Sequence, residues 1–138
     1  MQPVRKGTGQ ALVELALCAP VLVLLAVGVA AVVQVQDAAS GLDAATHAAA
    51  GVAARASDPL TADLTAHARF DAVVAGYPLR GATLHISVGT FSRSTDIVVT
   101  STAVVDVGWS GLVVPHPVVL RSRAVTRIEA WRTHLTAR

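Results

Sequence analysis

Three hydrophobic patterns follow one another along this chain. From Leu15 to Gln36 no residue carries a formal charge and nearly all are apolar. Helical rise is ~1.5 Å per residue, so roughly 20 residues match the ~30 Å hydrocarbon core of a bilayer. Leu15 to about Val35 meets that length. Beyond it, Val35, Ala38, Leu42, Ala45, Ala49, Val52 and Ala56 recur at alternating spacings of three and four. This is a heptad seam, and Gln36, Asp37, Ser40, Asp43 and His47 fall off it. The two patterns join into one predicted helix from about Ala11 to Ala56, roughly 70 Å long. Asp58-Pro59 is predicted to end it, because the residue before proline is pushed out of the α region.

A second, shorter helix is predicted over Thr61 to Ala75, with Leu64, Ala68, Val73 and Val74 buried and Gly76 at its end. Tyr77-Pro78-Leu79-Arg80-Gly81 reads as a turn. The period then changes to two. Leu84, Ile86 and Val88 share a face, and Ile97, Val99, Ala103, Val105 and Val107 continue the pattern in a longer strand. Leu120, Ala124, Ile128 and Ala130 alternate with Arg121, Arg123, Arg127 and Glu129 in a third. Ser92-Arg93-Ser94 and Gly108 to Pro117 read as loops. The predicted fold is α+β: a transmembrane helix prolonged into a long helix beyond the membrane, a short helix, and about three antiparallel strands. The outer seam is expected to pack on this sheet, and the membrane part, with Gly28 and neighbouring alanines, on other subunits.

Composition adds restraint. The chain has 138 residues, 53% hydrophobic and 14% charged, room for one span and one domain of about 100 residues. Its one cysteine, Cys18, excludes an intramolecular disulfide. A pI near 9.3 invites a nucleic-acid reading. The formal net charge is only +2, however, and Arg5 and Lys6 account for it. A basic stretch remains in Arg121, Arg123, Arg127, Arg132 and Arg138, but with only Trp131 as aromatic company it argues against nucleic-acid binding.

Arg5 and Lys6 before the apolar run, and Asp37 and Asp43 after it, place the N-terminus in the cytoplasm by the positive-inside rule. Pro20 falls in the first half of the span, where a kink is tolerated if neighbours satisfy the freed carbonyl. An ordinary signal peptide would be cut near Ala30 or Ala31, but its apolar core is usually only ~7–15 residues. A lipoprotein signal at Cys18 is opposed by bulky Leu17. Glu14, at the head of the run, is the residue neither reading explains, since a carboxylate there is costly unless something uses it.

Gly9-Gln10-Ala11-Leu12-Val13-Glu14-Leu15-Ala16-Leu17, with Pro20 following, resembles the opening of the TadE-like minor pseudopilins of the tight-adherence (Flp) type IV pilus system. Leu15 stands where the family commonly has phenylalanine. The likeness is strong over roughly Gly9 to Val33 and weaker over the Ala-rich helix beyond, while Ser122 to Glu129 looks like the family's closing strand. It implies a leader of residues 1–9, a transmembrane helix over 10–36 and an extracytoplasmic domain over 37–138. It further implies that a prepilin peptidase cuts between Gly9 and Gln10. Glu14 would then pair with the new amine of Gln10, its own or a neighbour's, relieving two unpaired charges at the membrane edge; snorkelling of Glu14 to the interface is the alternative. The implied partners are the peptidase, other pilins and pseudopilins, pilus assembly proteins and membrane lipid, in a bacterial inner membrane or at the cell surface. No nucleic acid, small-molecule substrate, cofactor or metal is expected.

Nothing in the chain reads as an active site. His47, His67, His85, His116 and His134 are scattered and form no ligand motif. The serines lack a nucleophile-elbow context, and Asp96 and Asp106 do not form a pair. Trp109 is expected to pack in the core in preference to anchoring a loop or meeting a partner. The expected function is pilus assembly or priming, without catalysis. Two alternatives stay open: a signal-anchored or secreted interaction domain, and a pseudopilin of a type II secretion system.

Overall fold

The computed structural model describes residues 7–89, 95–110 and 116–128. Helix α1 (Gly7–Ala53) is followed by α2 (Pro59–Val74), β1 (Arg80–Val88), β2 (Asp96–Val105), a 3-10 turn (Gly108–Ser110) and β3 (Val118–Arg127). The strands form one antiparallel sheet in the order β1-β2-β3. The architecture is the predicted α+β plan.

The central strand builds the core. Ile97, Val99, Ala103 and Val105 of β2 are buried on one face, the period of two expected of a half-covered sheet. Leu42, Ala45, Ala49 and Ala53 of α1 meet that cluster. The heptad seam is therefore covered by the protein's own sheet and by α2 from Ala38 to Ala49, while Val35 and Val52 are half-buried and Ala53 takes the place expected of Val52. Alanines along it let the helix lie close to the strands, and Leu42 and Phe70 supply the largest buried side chains. Each such side chain contributes about 1.5–3 kcal/mol relative to exposure. A second cluster, Ala38 with Val105 and Val107, continues the contact toward the membrane-length part of α1.

Close approach has one strict requirement. Gly41 faces the ring of Tyr77, and a Cβ there would overlap the aromatic carbons. Leu79 adjoins both clusters, so the segment after α2 is pinned beside the seam.

Several boundaries differ from expectation. α1 already includes Gly7, the first described residue, ahead of the expected start at about Ala11. It ends at Ala53, and Ala56 stays buried in the turn that follows. Pro59 does not close α1 but opens α2. Proline suits the first helical position, where its missing N–H costs nothing. Asp58, in extended conformation (φ −149, ψ 163), caps the helix by accepting from the Thr61 N–H at 2.9 Å. Strand β1 begins at Arg80, inside the expected turn. Gly81 adopts φ 57, where the pairing register shifts between Arg80 and Thr83. Such a left-handed residue at an irregular ladder position favours glycine.

The buried stripe of α2 also needs correction. Ala62, Ala66 and Phe70 face inward, whereas Leu64 is 61% exposed and Ala68 is exposed. Val73 and Val74, expected to be buried, pack against the core but are only half-buried. Phe70 sets the phase, because its ring fills the space between α1 and the sheet that Leu64 cannot reach from the opposite side. The expected positions of Ala130, Glu129 and Ser92 to Ser94 lie outside the described residues.

Candidate functional site

The membrane-length part of α1 stands clear of the domain over its first half, while nearer the domain Ala31 is buried and Gln34 and Val35 are half-buried. Only 6% of its most apolar window is buried. Leu12, Leu15, Leu17, Val21, Leu22 and Leu25 are all exposed, around the whole circumference of the helix. A helix apolar on every side belongs in lipid or inside a large protein, and this one is long and apolar enough to cross a membrane. Pro20 lies within it, and the element continues through that position. A shallow apolar groove runs along Leu24, Leu25, Gly28, Val29, Val32 and Val33. Gly28 opens that groove by presenting no side chain.

At the head of the helix, Gly9, Gln10 and Glu14 lie together within its first turns. Gln10 Nε2 donates to Glu14 Oε1 at 3.2 Å, an i,i+4 contact on the exposed surface. The Gly9–Gln10 bond itself is helical. Nothing else among the described residues reaches this carboxylate, so its one partner among them is the neutral side-chain amide of Gln10. Arg5 and Lys6 lie outside the described residues.

At the other end of this apolar segment, Trp109 departs from the expected core packing. It is 56% exposed. Its indole Nε1 donates to Gln34 Oε1 at 2.7 Å, across 75 positions of sequence. The 3-10 turn that carries it sits against α1, because Val107 inserts its side chain beside Ala38 and leaves the next residues on the helix surface.

The polar groups of the domain are mostly structural. Thr46 and Ser101 form a buried hydroxyl pair at 2.6 Å, and Ser122 donates to Asp43 at 2.8 Å, both joining α1 to the sheet. Neither serine is marked by sequence pattern, since each interrupts an apolar alternation. On the open face of the sheet Arg121 and Arg123 flank Thr100 and Thr102, while Arg127 pairs with Asp96 at 3.0 Å and Arg80 with Asp106 at 3.3 Å. Exposed pairs of this kind add little stability. The Thr61 backbone N–H first, and its hydroxyl second, donate to the Asp58 carboxylate and hold it below its ordinary value, with the Ser57 hydroxyl contributing. His47 and His67 contact the carbonyls of Asp43 and Asp63 on their own helices, while His85 sits on the open sheet face. Among the described residues no three His, Cys, Asp or Glu side chains gather in a way that could hold a metal. His134 lies outside them.

The family model of the TadE-like protein matches residues 9–51, from the glycine before the apolar run to near the end of the buried seam. No curated protein and no solved structure matches the chain.

Proposed function

We propose that this chain, TadE-like over residues 9–51, is a minor pseudopilin that helps to assemble or prime a tight-adherence pilus. The family match supports involvement with that pilus system. The finer role rests on one observation: a carboxylate, Glu14, exposed five residues beyond Gly9 at the head of a helix that is apolar on all sides.

In this reading the N-terminus faces the cytoplasm and the domain of α2 and the sheet lies outside. A prepilin peptidase releases the leader after Gly9. Because the Gly9–Gln10 bond is helical, the first turn must open for cleavage. Gly7 and Gly9 make that easy, each less favourable in a helix than alanine by about 0.8–1.0 kcal/mol. The new amine then arises on the residue that already contacts Glu14, replacing a neutral hydrogen bond by a charge-assisted one. The same carboxylate is available to the amine of a neighbouring subunit, which would fix the register between helices. The groove around Gly28 offers the close approach such packing needs in lipid. None of this requires the chain to catalyse a reaction, and its partners are the peptidase, other pilin-like subunits, assembly proteins and lipid.

Intact mass of the protein recovered from its own cell tests the reading. Loss of nine residues is expected. Cleavage near Ala30 or Ala31 would overturn it, and so would normal processing when Gly9 is replaced by a bulky residue.

A further inference from the structure

Gln34 and Glu14 are twenty residues apart on one continuous helix. At ~1.5 Å per residue that is ~30 Å, the thickness of the hydrocarbon core. If Glu14 marks one boundary of the bilayer, Gln34 marks the other. The first formal charge after the run, Asp37, comes one turn later and is exposed. Trp109 is bonded to Gln34 at that level.

The indole is held there from several directions. Val107 is buried beside Ala38 and Val105. The Gly108 N–H donates to Asp106 Oδ1 at 2.8 Å, closing the turn that presents the ring, and Asp106 is paired with Arg80. With its N–H already donated to Gln34, the ring has only apolar surface left to offer. More than half of the residue nonetheless lies open. An indole with an apolar body and a satisfied polar tip suits the headgroup boundary of a bilayer, where tryptophan is enriched. Val32 and Val33, just below on α1, are exposed and would lie in the acyl region.

We propose that Trp109 docks into the outer lipid interface and, through its bond to Gln34, fixes the depth and tilt at which the domain sits on the membrane. This rests on the reading of α1 as a membrane span. It assigns a lipid-binding role to a residue of the domain itself, far from the span in sequence.

The test uses the full chain in phosphatidylcholine vesicles carrying nitroxide lipids, labelled either near the headgroup or near the end of the acyl chain. Trp131→Phe leaves Trp109 as the sole tryptophan, since the chain has two. The difference between the unaltered chain and Trp109→Phe gives the same signal without touching Trp131. Trp109 emission is expected to be lost more to the shallow nitroxide than to the deep one. Gln34→Ala, which removes the acceptor, is expected to diminish that preference, and an unchanged preference would overturn the anchoring through Gln34. Quenching by aqueous acrylamide alone, or by neither lipid nor acrylamide as under a neighbouring subunit, would overturn lipid docking. A fluorophore on Cys18, the chain's one cysteine, reports the span independently. If Cys18 feels the lipid nitroxides and Trp109 does not, the anchor fails and the span stands; if neither does, both fail.

Discussion

Ser101 of β2 donates its hydroxyl proton to Thr46 of α1 across 2.6 Å, with both residues almost wholly buried. The direction follows from counting protons. Thr46 Oγ1 already gives its single proton to the Leu42 carbonyl at 2.7 Å, so only Ser101 can donate between them. The chain Ser101, Thr46, Leu42 carries a polar link from the central strand into the helix backbone.

Removing half of that link should cost more than removing all of it. Thr46→Val keeps the shape but leaves the Ser101 hydroxyl buried without an acceptor, a loss of about 1–3 kcal/mol. Adding Ser101→Ala should recover most of it, since both polar groups are then gone. Denaturant unfolding of the two variants in detergent, followed by tryptophan fluorescence, checks the order. A double variant less stable than Thr46→Val would contradict the account.

Two glycines of α1 should respond to alanine with opposite sign. Gly51 has open space around its would-be Cβ, so Gly51→Ala should stabilise by about 0.5–1 kcal/mol, the helix preference for alanine. Gly41→Ala drives a methyl into the Tyr77 ring and should destabilise by about 1–3 kcal/mol through overpacking. In a Tyr77→Ala background the Gly41 substitution should turn favourable. Thermal melts of the four chains are enough to see the reversal.

The Asp58 cap predicts a pH dependence. Its carboxyl is held below the usual value by the Thr61 and Ser57 hydrogen bonds. The unfolded chain therefore binds the proton first as pH falls. The stabilisation is complete above the ordinary carboxyl value of 3.8 and drains away as pH drops below it toward the lower folded value. Asp58→Asn keeps an acceptor for the Thr61 N–H without the charge, so its melting temperature should fall less steeply over that acid range. Equal slopes for the two proteins would remove Asp58 from the acid response.

Glu14 separates charge pairing from hydrogen bonding. Glu14→Gln can still accept from Gln10 but cannot neutralise an amine. If pairing with the amine is the role, Glu14→Gln and Glu14→Ala should both be processed normally and both enter pili poorly. A loss of about 1.4 kcal/mol per contact corresponds to about tenfold less incorporation. Immunoblots of sheared pili against total protein measure it. Normal piliation by either variant argues against pairing and for a carboxylate that merely reaches the interface.

Periodicity made most of the fold legible, and for physical reasons. The heptad seam of α1 is buried because small residues at that spacing are what a close helix-on-sheet contact needs. The strands alternate because one face of the sheet is covered and the other is open. α2 was harder to phase. Leu60 and Leu64 make as good an i,i+4 pair as Ala62 and Ala66, and both leucines are exposed. Only the three-dimensional demand for the Phe70 ring decides between the two faces. Ser101 and Ser122 were invisible for another reason: their partners, Thr46 and Asp43, lie 55 and 79 residues away. The head of the candidate site was the most readable part, because a lone carboxylate before an uncharged run is anomalous in sequence. Its far end was not, since the pairing of Trp109 with Gln34 exists only after folding.

α1 is both the membrane-length segment and the backbone of the domain, with no linker between the two parts. The mechanical consequence is a shaft without a slack joint. Any axial pull or rotation applied to the segment around Glu14 reaches Leu42 and Thr46 through about 45 Å of helix, and from there the sheet through side chains locked in its core. A subunit built this way moves as one piece: lifting its foot lifts its head by the same distance, and turning one turns the other.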